Sequence, residues 1–225
     1  MKLKLTASFL SLLVIFSCKK DESSTTPPAA ETYLTTAAGS SWTYHATDNT
    51  GAVAASDYTL TATSTDTTII GKSYHVYTNS AGGNQYMALV GHDYYQFDSL
   101  PTGIGGSVIE RLYLKDNVAI GTNWTQDFSV NVPGSIIPIP FTVSNSIAES
   151  GISRTVNGVP YNDVIHVSTH ITSAFIPPAS LTTSIDTYYA KKYGMIENTS
   201  VVHLDFAGIM QDVNTSTILT SATLK

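Results

Sequence analysis

The sequence has a single cysteine, Cys18, and little charge: Asp, Glu, Lys and Arg make up 12% of its 225 residues. One thiol excludes an internal disulfide and any site built from several thiolates. Basic side chains are scarcest, 11 against 17 acidic. Nucleic acid needs clustered Lys and Arg to displace counterions, so the composition excludes that partner. The one marked apolar run, Phe9 to Phe16, is too short to span a bilayer. No stretch after it shows helical periodicity with caps. In their place stand Thr, Ser, Asn and 13 tyrosines, the composition of an exported β protein held by apolar burial alone.

The N-terminus has a basic start (Lys2, Lys4), the apolar run, and then Ile15-Phe16-Ser17-Cys18. This is the layout of a secretory signal, residues 1–17. A signal ending at a cysteine resembles the lipobox of bacterial lipoproteins, with Ile15 and Ser17 fitting the pattern and Phe16 departing from it. The resemblance implies that Cys18 is acylated and becomes the first mature residue, so that the partner is a membrane reached through lipid. An ordinary signal cut near Ser17 is the alternative. Of the 11 basic side chains, loss of Lys2 and Lys4 leaves 9 against 17 acidic, a net charge near −8. A body of that charge does not hold anionic headgroups; the acyl chains supply the affinity. Residues 18–32 lack apolar periodicity and form a flexible tether with a reach of roughly 20 Å. Lys20-Asp21-Glu22 resembles the lysine followed by two acids of surface-exported lipoproteins, and Lys19 stands where aspartate would mark inner-membrane retention. Together these imply the outer membrane, with the periplasmic and the cell-surface face both open.

Residues 33–225 carry one pattern twice, in units of about 33–116 and 117–225. Gly39-Ser40-Ser41-Trp42-Thr43 matches Gly121-Thr122-Asn123-Trp124-Thr125. Ile70-Gly71-Lys72-Ser73-Tyr74 matches Asn157-Gly158-Val159-Pro160-Tyr161, and Tyr86–Gly91 matches Tyr189–Gly194. Gly71 and Gly158 lie between strand-like runs where a tight turn needs positive φ. Trp42 and Trp124 each open a strand and are expected in the core.

Strand signals recur every 8–14 residues, rich in Thr, Val, Ile and Tyr. They include Asp57–Thr65, Ile139–Asn145, Asp163–Ile171, Gly194–Asn198 and Val201–Phe206. The expected fold is all-β, an antiparallel meander forming one strongly curved sheet or open half barrel, with two β lobes as the alternative. Tyr188-Tyr189-Ala190-Lys191-Lys192-Tyr193-Gly194-Met195-Ile196 resembles a stretch of uncharacterised bacterial lipoproteins that reads YYA-K-x-G followed by an apolar residue. Gly158-x2-Tyr161-x2-Val164 is similar to the strand that precedes it there. That resemblance covers some forty residues and implies a β-rich half barrel without an assigned activity.

Catalytic and metal signals are missing, and no cofactor is expected. His166-x3-His170 would suit zinc on a helix, but here the run alternates like a strand, which holds the rings roughly 13 Å apart. No Gly-x-Ser-x-Gly elbow occurs. Asp163 and His166 fall on opposite faces of a strand. Asp48-Asn49-Thr50-Gly51 lacks the distal Glu of a calcium loop and reads as an ordinary turn. Two apolar, proline-bearing segments remain. Their residues Ile136, Ile137, Ile139, Phe141, Phe175 and Ile176 either rim a pocket for an apolar ligand or fold over an open barrel end and are buried there. The expectation is a non-catalytic, membrane-anchored binding module for an apolar ligand or an envelope protein. The alternative is a carbohydrate-contacting surface lipoprotein that stacks sugars on tyrosines.

Overall fold

The computed structural model describes residues 31–99, 108–130, 138–206 and 208–225. The signal, Cys18 and most of the tether lie outside them, as do Ile136 and Ile137. No helix occurs among the described residues. Twelve strands follow in order: β1 (Ser41–Asp48), β2 (Ser56–Ile69), β3 (Lys72–Asn79), β4 (Asn84–Val90), β5 (Asp93–Ser99), β6 (Val108–Lys115), β7 (Asn123–Val130), β8 (Ile139–Val156), β9 (Val159–Thr172), β10 (Leu181–Ala190), β11 (Gly194–Phe206) and β12 (Ile209–Thr223).

All twelve form one antiparallel sheet, in the order β6-β5-β4-β3-β2-β1-β12-β11-β10-β9-β8-β7. Each half of the chain is a six-stranded meander. The first and last strands pair, Ser41 opposite Thr223, which joins the meanders into a single sheet rather than two lobes. The sheet curls into a nearly closed barrel. Alternation drives the curl: in β1, Trp42 and Tyr44 are buried while their neighbours are not, so one face of the sheet excludes water.

The halves share local geometry. The β2–β3 hairpin turns through Ile70-Gly71 with φ of 49° and 78°; the β8–β9 hairpin turns through Asn157-Gly158 with 48° and 77°. Both positions of each turn are left-handed, the arrangement that follows strand twist. Before β1, the Gly39 N–H donates to the Ala62 carbonyl at 2.9 Å and Ala62 returns a bond to Ser40 at 2.9 Å. Before β7, Gly121 and Ile147 do the same at 2.8 Å, with Ile147 returning to Thr122 at 3.1 Å.

The two sheet edges, β6 and β7, meet without a backbone ladder. The Gln126 carboxamide does a peptide's work instead: Oε1 accepts from Leu112 N–H at 2.6 Å, and Nε2 donates to the Glu110 carbonyl at 3.4 Å. Beside it, Trp124 Nε1 donates to the Leu112 carbonyl at 2.8 Å. Inward side chains of β7 thus occupy the hydrogen-bonding groups of the β6 edge, which would otherwise be open to pairing with another chain.

Strand bounds depart furthest from the sequence expectation in β11 and β8. Residues 194–206 form the single strand β11 rather than two, because Asn198 and Ser200 read as turn residues yet face the barrel interior. β8 runs to Val156 because bulges between Ile147 and Arg154 absorb Ser150-Gly151 without ending the ladder.

Candidate functional site

The meanders alternate direction, so the turns sort to two ends. One end, here the tether end, carries the β2–β3, β4–β5, β6–β7, β8–β9 and β10–β11 connections and the segment before β1. That segment lies across the barrel. Tyr33 donates its hydroxyl to the Asp163 carbonyl at 2.7 Å, Tyr77 donates to the Thr35 carbonyl at 2.8 Å, and Lys192 N–H donates to the Thr32 carbonyl at 2.8 Å. The other end, the far end, carries the longer loops.

Between them lies a cavity of about 520 Å³, a size suited to a small organic ligand. Its floor, toward the tether end, is aromatic: Trp42, Tyr44, Tyr77, Tyr113 and Tyr189 are all buried. Next comes a polar belt. Thr169 donates to Asn145 Oδ1 at 2.7 Å, Asn198 Nδ2 donates to Thr187 Oγ1 at 2.8 Å, and Ser200 donates to Asn198 Oδ1 at 3.0 Å. Toward the far end the walls are apolar again (Ile109, Val143, Ile171, Ile185, Val202 and Val213), and these are only half-buried. The site is therefore a cavity with an aromatic floor toward the tether end, a polar belt above it and apolar walls toward the far end.

Electrostatics sharpen the picture. Burial pushes the Tyr189 hydroxyl up to about 12 against the opposing pull of Arg111, and pushes Tyr44 and Tyr113 well above 10. The floor is thus a set of neutral phenols. Arg111 is the only charged residue among the described lining residues. Trp42 Nε1 is buried with no hydrogen-bond partner, an uncompensated donor at the cavity floor.

Of the pocket-rim residues singled out from sequence, those among the described residues lie outside this cavity. Ile139 and Ile176 are buried with Val130 and Leu204, and Phe141 packs against them, at the far end of β7, β8 and β11. Phe175 is exposed. None of these four lines the cavity; Ile139 and Ile176 are buried and Phe141 is partly buried against them. His166 and His170 do not converge. His166 sits between Glu149 and Asp186 at 3.1 and 2.7 Å, whereas His170 meets the Thr183 carbonyl. Asp163 lies at φ 53° against Lys191 at 3.4 Å, away from His166. Asp48 closes its own turn, accepting from Thr50 N–H, Thr50 Oγ1 and Val53 N–H, which hold its carboxyl below the usual range.

The belt is not legible from strand alternation, which by itself places Asn, Ser and Thr on the outward face. A signal did exist. Thr187 stands between Ile185 and Tyr189 at a spacing of two, and Asn145 follows Val143 in the same way. A polar residue repeated on the apolar face of adjacent strands marks a wet interior.

No family model matches this sequence, and no curated protein matches it either. Among solved structures, a candidate lipoprotein from Parabacteroides distasonis is similar over 86% of this chain and 99% of its own, at 11% identity and a TM-score of 0.47. A candidate exported protein with a YmcC-like fold from Bacteroides fragilis is similar over 86% of this chain and 100% of its own, at 7% identity and a TM-score of 0.41. Neither likeness is close enough to pass a function or a location to this chain.

Proposed function

We propose that this protein is an outer-membrane lipoprotein, anchored through Cys18, whose barrel holds a small, largely apolar ligand without transforming it. The observation that carries the ligand reading is the cavity itself: an aromatic floor with an unpartnered buried indole N–H, polar groups at one level, and apolar walls above. An apolar body with one acceptor group satisfies all three, with the acceptor toward Trp42. The non-catalytic reading is supported by the chemistry of the described lining. Its buried tyrosines Tyr44, Tyr113 and Tyr189 stay protonated at neutral pH. A concave site of this size favours a small molecule over a protein partner. Sugar stacking on the outer surface is less favoured, since eight of the 13 tyrosines are buried and the other five are half-buried. The matched turns of the two meanders support the reading that the halves are duplicated units.

A solvatochromic probe with an apolar body and one polar head tests the ligand reading. Ser200→Phe fills the cavity from the belt and should weaken probe binding at least ten-fold while leaving the fold intact by circular dichroism. Absent binding to the native protein, or unchanged binding to the filled variant, refutes it. For the anchor, Cys18→Ser should release the chain from membranes; retention equal to the native protein refutes that part.

A further inference from the structure

Four of the exposed large apolar side chains stand at the tether end: Ile70, Val90, Ile120 and Val159, at 88, 53, 62 and 44% exposure. Each lies in or beside a connection: Ile70 in the β2–β3 turn, Val90 at the end of β4, Ile120 between β6 and β7, and Val159 at the start of β9. Ile70 is also strained. A β-branched residue at φ 49° sits where sterics favour Gly or Asn, and the matching turn of the second meander has Asn157 there. A strained side chain that is almost wholly in water serves nothing within the barrel.

Charge divides along the same axis. All five lysines of the described residues, Lys72, Lys115, Lys191, Lys192 and Lys225, lie at the tether end. Four of them meet Glu110, Asp93, Asp163 and Glu31, and Asp116 stands at the same end beside His92, which leaves that end close to neutral. At the far end Asp48, Asp57, Asp127, Asp205 and Asp212 face no lysine among the described residues. The far end exposes Val53, Phe175 and Met210 too, but among these aspartates, of which Asp57 and Asp212 meet only histidines, His45 and His203. Chain geometry adds a third constraint. The 13 residues from Cys18 to Ala30 enter the described fold beside Thr32, whose carbonyl is bonded to Lys192.

We propose that the tether end docks flat on the bilayer leaflet that carries the anchor, with Ile70, Val90, Ile120 and Val159 entering the headgroup–acyl boundary and the more exposed Lys191 and Lys192 at the headgroup level. Apolar tips interleaved with lysine stems are the chemistry of an interfacial contact. The acidic far end is held off an anionic surface. The inference rests on the anchor reading for its tether, but its test does not need acylation in the cell.

The mature chain, residues 18–225, is coupled through its only thiol to a maleimide headgroup on vesicles of phosphatidylethanolamine and phosphatidylglycerol, 3:1, containing chain-brominated lipid. Tryptophan is added as Val90→Trp or as Met210→Trp. The added fluorescence of Val90→Trp should be quenched at least two-fold and that of Met210→Trp by less than a tenth. Equal quenching of the two, or quenching of neither, overturns the proposal. Adding Ile70→Ser, Ile120→Ser and Val159→Ser to Val90→Trp changes only exposed side chains and should abolish most of the quenching. Persistent quenching removes these residues from the contact and overturns the assignment. Failure of Cys18→Ser to leave native membranes, by contrast, speaks only against the anchor.

Discussion

Substitution of Gln126 tests the idea that side chains seal the barrel. In Gln126→Ala the Leu112 N–H and the Glu110 carbonyl both lose their partner in a half-buried seam. An unsatisfied buried backbone group costs about 1–3 kcal/mol. The bond to Leu112 is short and the one to Glu110 long, and solvent reaches part of the seam, so about 2 kcal/mol is expected for the pair. For a domain of this size that corresponds to a loss of about 4–8 °C in Tm. Gln126→Glu separates the two bonds. Its carboxylate still accepts from Leu112 but cannot donate to Glu110, and it faces that carbonyl with a negative charge. Trp124→Phe removes the third seam bond while keeping most of the packing. Because Trp124 and Gln126 both converge on Leu112, Gln126→Ala and Trp124→Phe should not be additive. Urea unfolding followed by circular dichroism, with the slope checked for two-state behaviour, measures all of this. A Gln126→Ala midpoint within 0.5 kcal/mol of native, an order-of-magnitude threshold for a surface change, would show that the seam is held by packing and that its hydrogen bonds are incidental.

Gly71→Val and Gly158→Val should each cost roughly 1–3 kcal/mol, and nearly the same amount, since both sit near φ 78° with open space where a side chain would go; a difference above about 1 kcal/mol by urea titration would break the equivalence of the turns. Ile176→Asp should unfold the far-end cover, losing roughly 3 kcal/mol or more, whereas Phe175→Asp should change stability by under about 0.5 kcal/mol; equal tolerance of both would return Ile176 to a pocket rim. Burial lifts the hydroxyls of Tyr33, Tyr58 and Tyr189 to about 12. Their stabilisation is therefore complete below pH 10 and lost as pH rises from 10 through 12, because only the unfolded chain ionises early in that window. Ultraviolet titration of tyrosinate should show ionisation delayed until unfolding; a full ordinary titration centred at 10 in the folded protein would contradict it.

How far the sequence reveals this protein depends on which face of a strand its polar residues occupy. The β1 pattern was readable because Trp42 and Tyr44 alternate with Thr43 and His45. The β8–β9 hairpin was readable because Asn157-Gly158 is a turn with a mechanical cause. Gly71 and Gly158 were correctly placed at positive φ. The cavity escaped notice for the opposite reason. Asn145, Thr169, Thr187, Asn198 and Ser200 face inward, which breaks the rule that an inward face is apolar. Apolar loops then looked like the better pocket. At Ile139 and Ile176 they are core, since a curled sheet needs a cover at the far end and only large apolar side chains can supply it. The seam was equally hidden, because no local pattern tells Gln126 that the preceding strand, the opposite edge of the sheet, will offer it an amide.

The pairing of β1 with β12 has a kinetic consequence. Every other ladder in the sheet links strands that follow each other in the chain, so both meanders form through local contacts. Only this one ladder joins residues 182 apart, Ser41 and Thr223, and contacts of such separation form slowly. The Lys225 N–H meets Ser40 Oγ at 3.1 Å, so a short linker could join the C-terminus to Ser40. New ends could then open between β6 and β7, which share no ladder. That circular permutant would begin at β7, end at β6 and contain no long-range strand pair at all. It should refold faster than the native order.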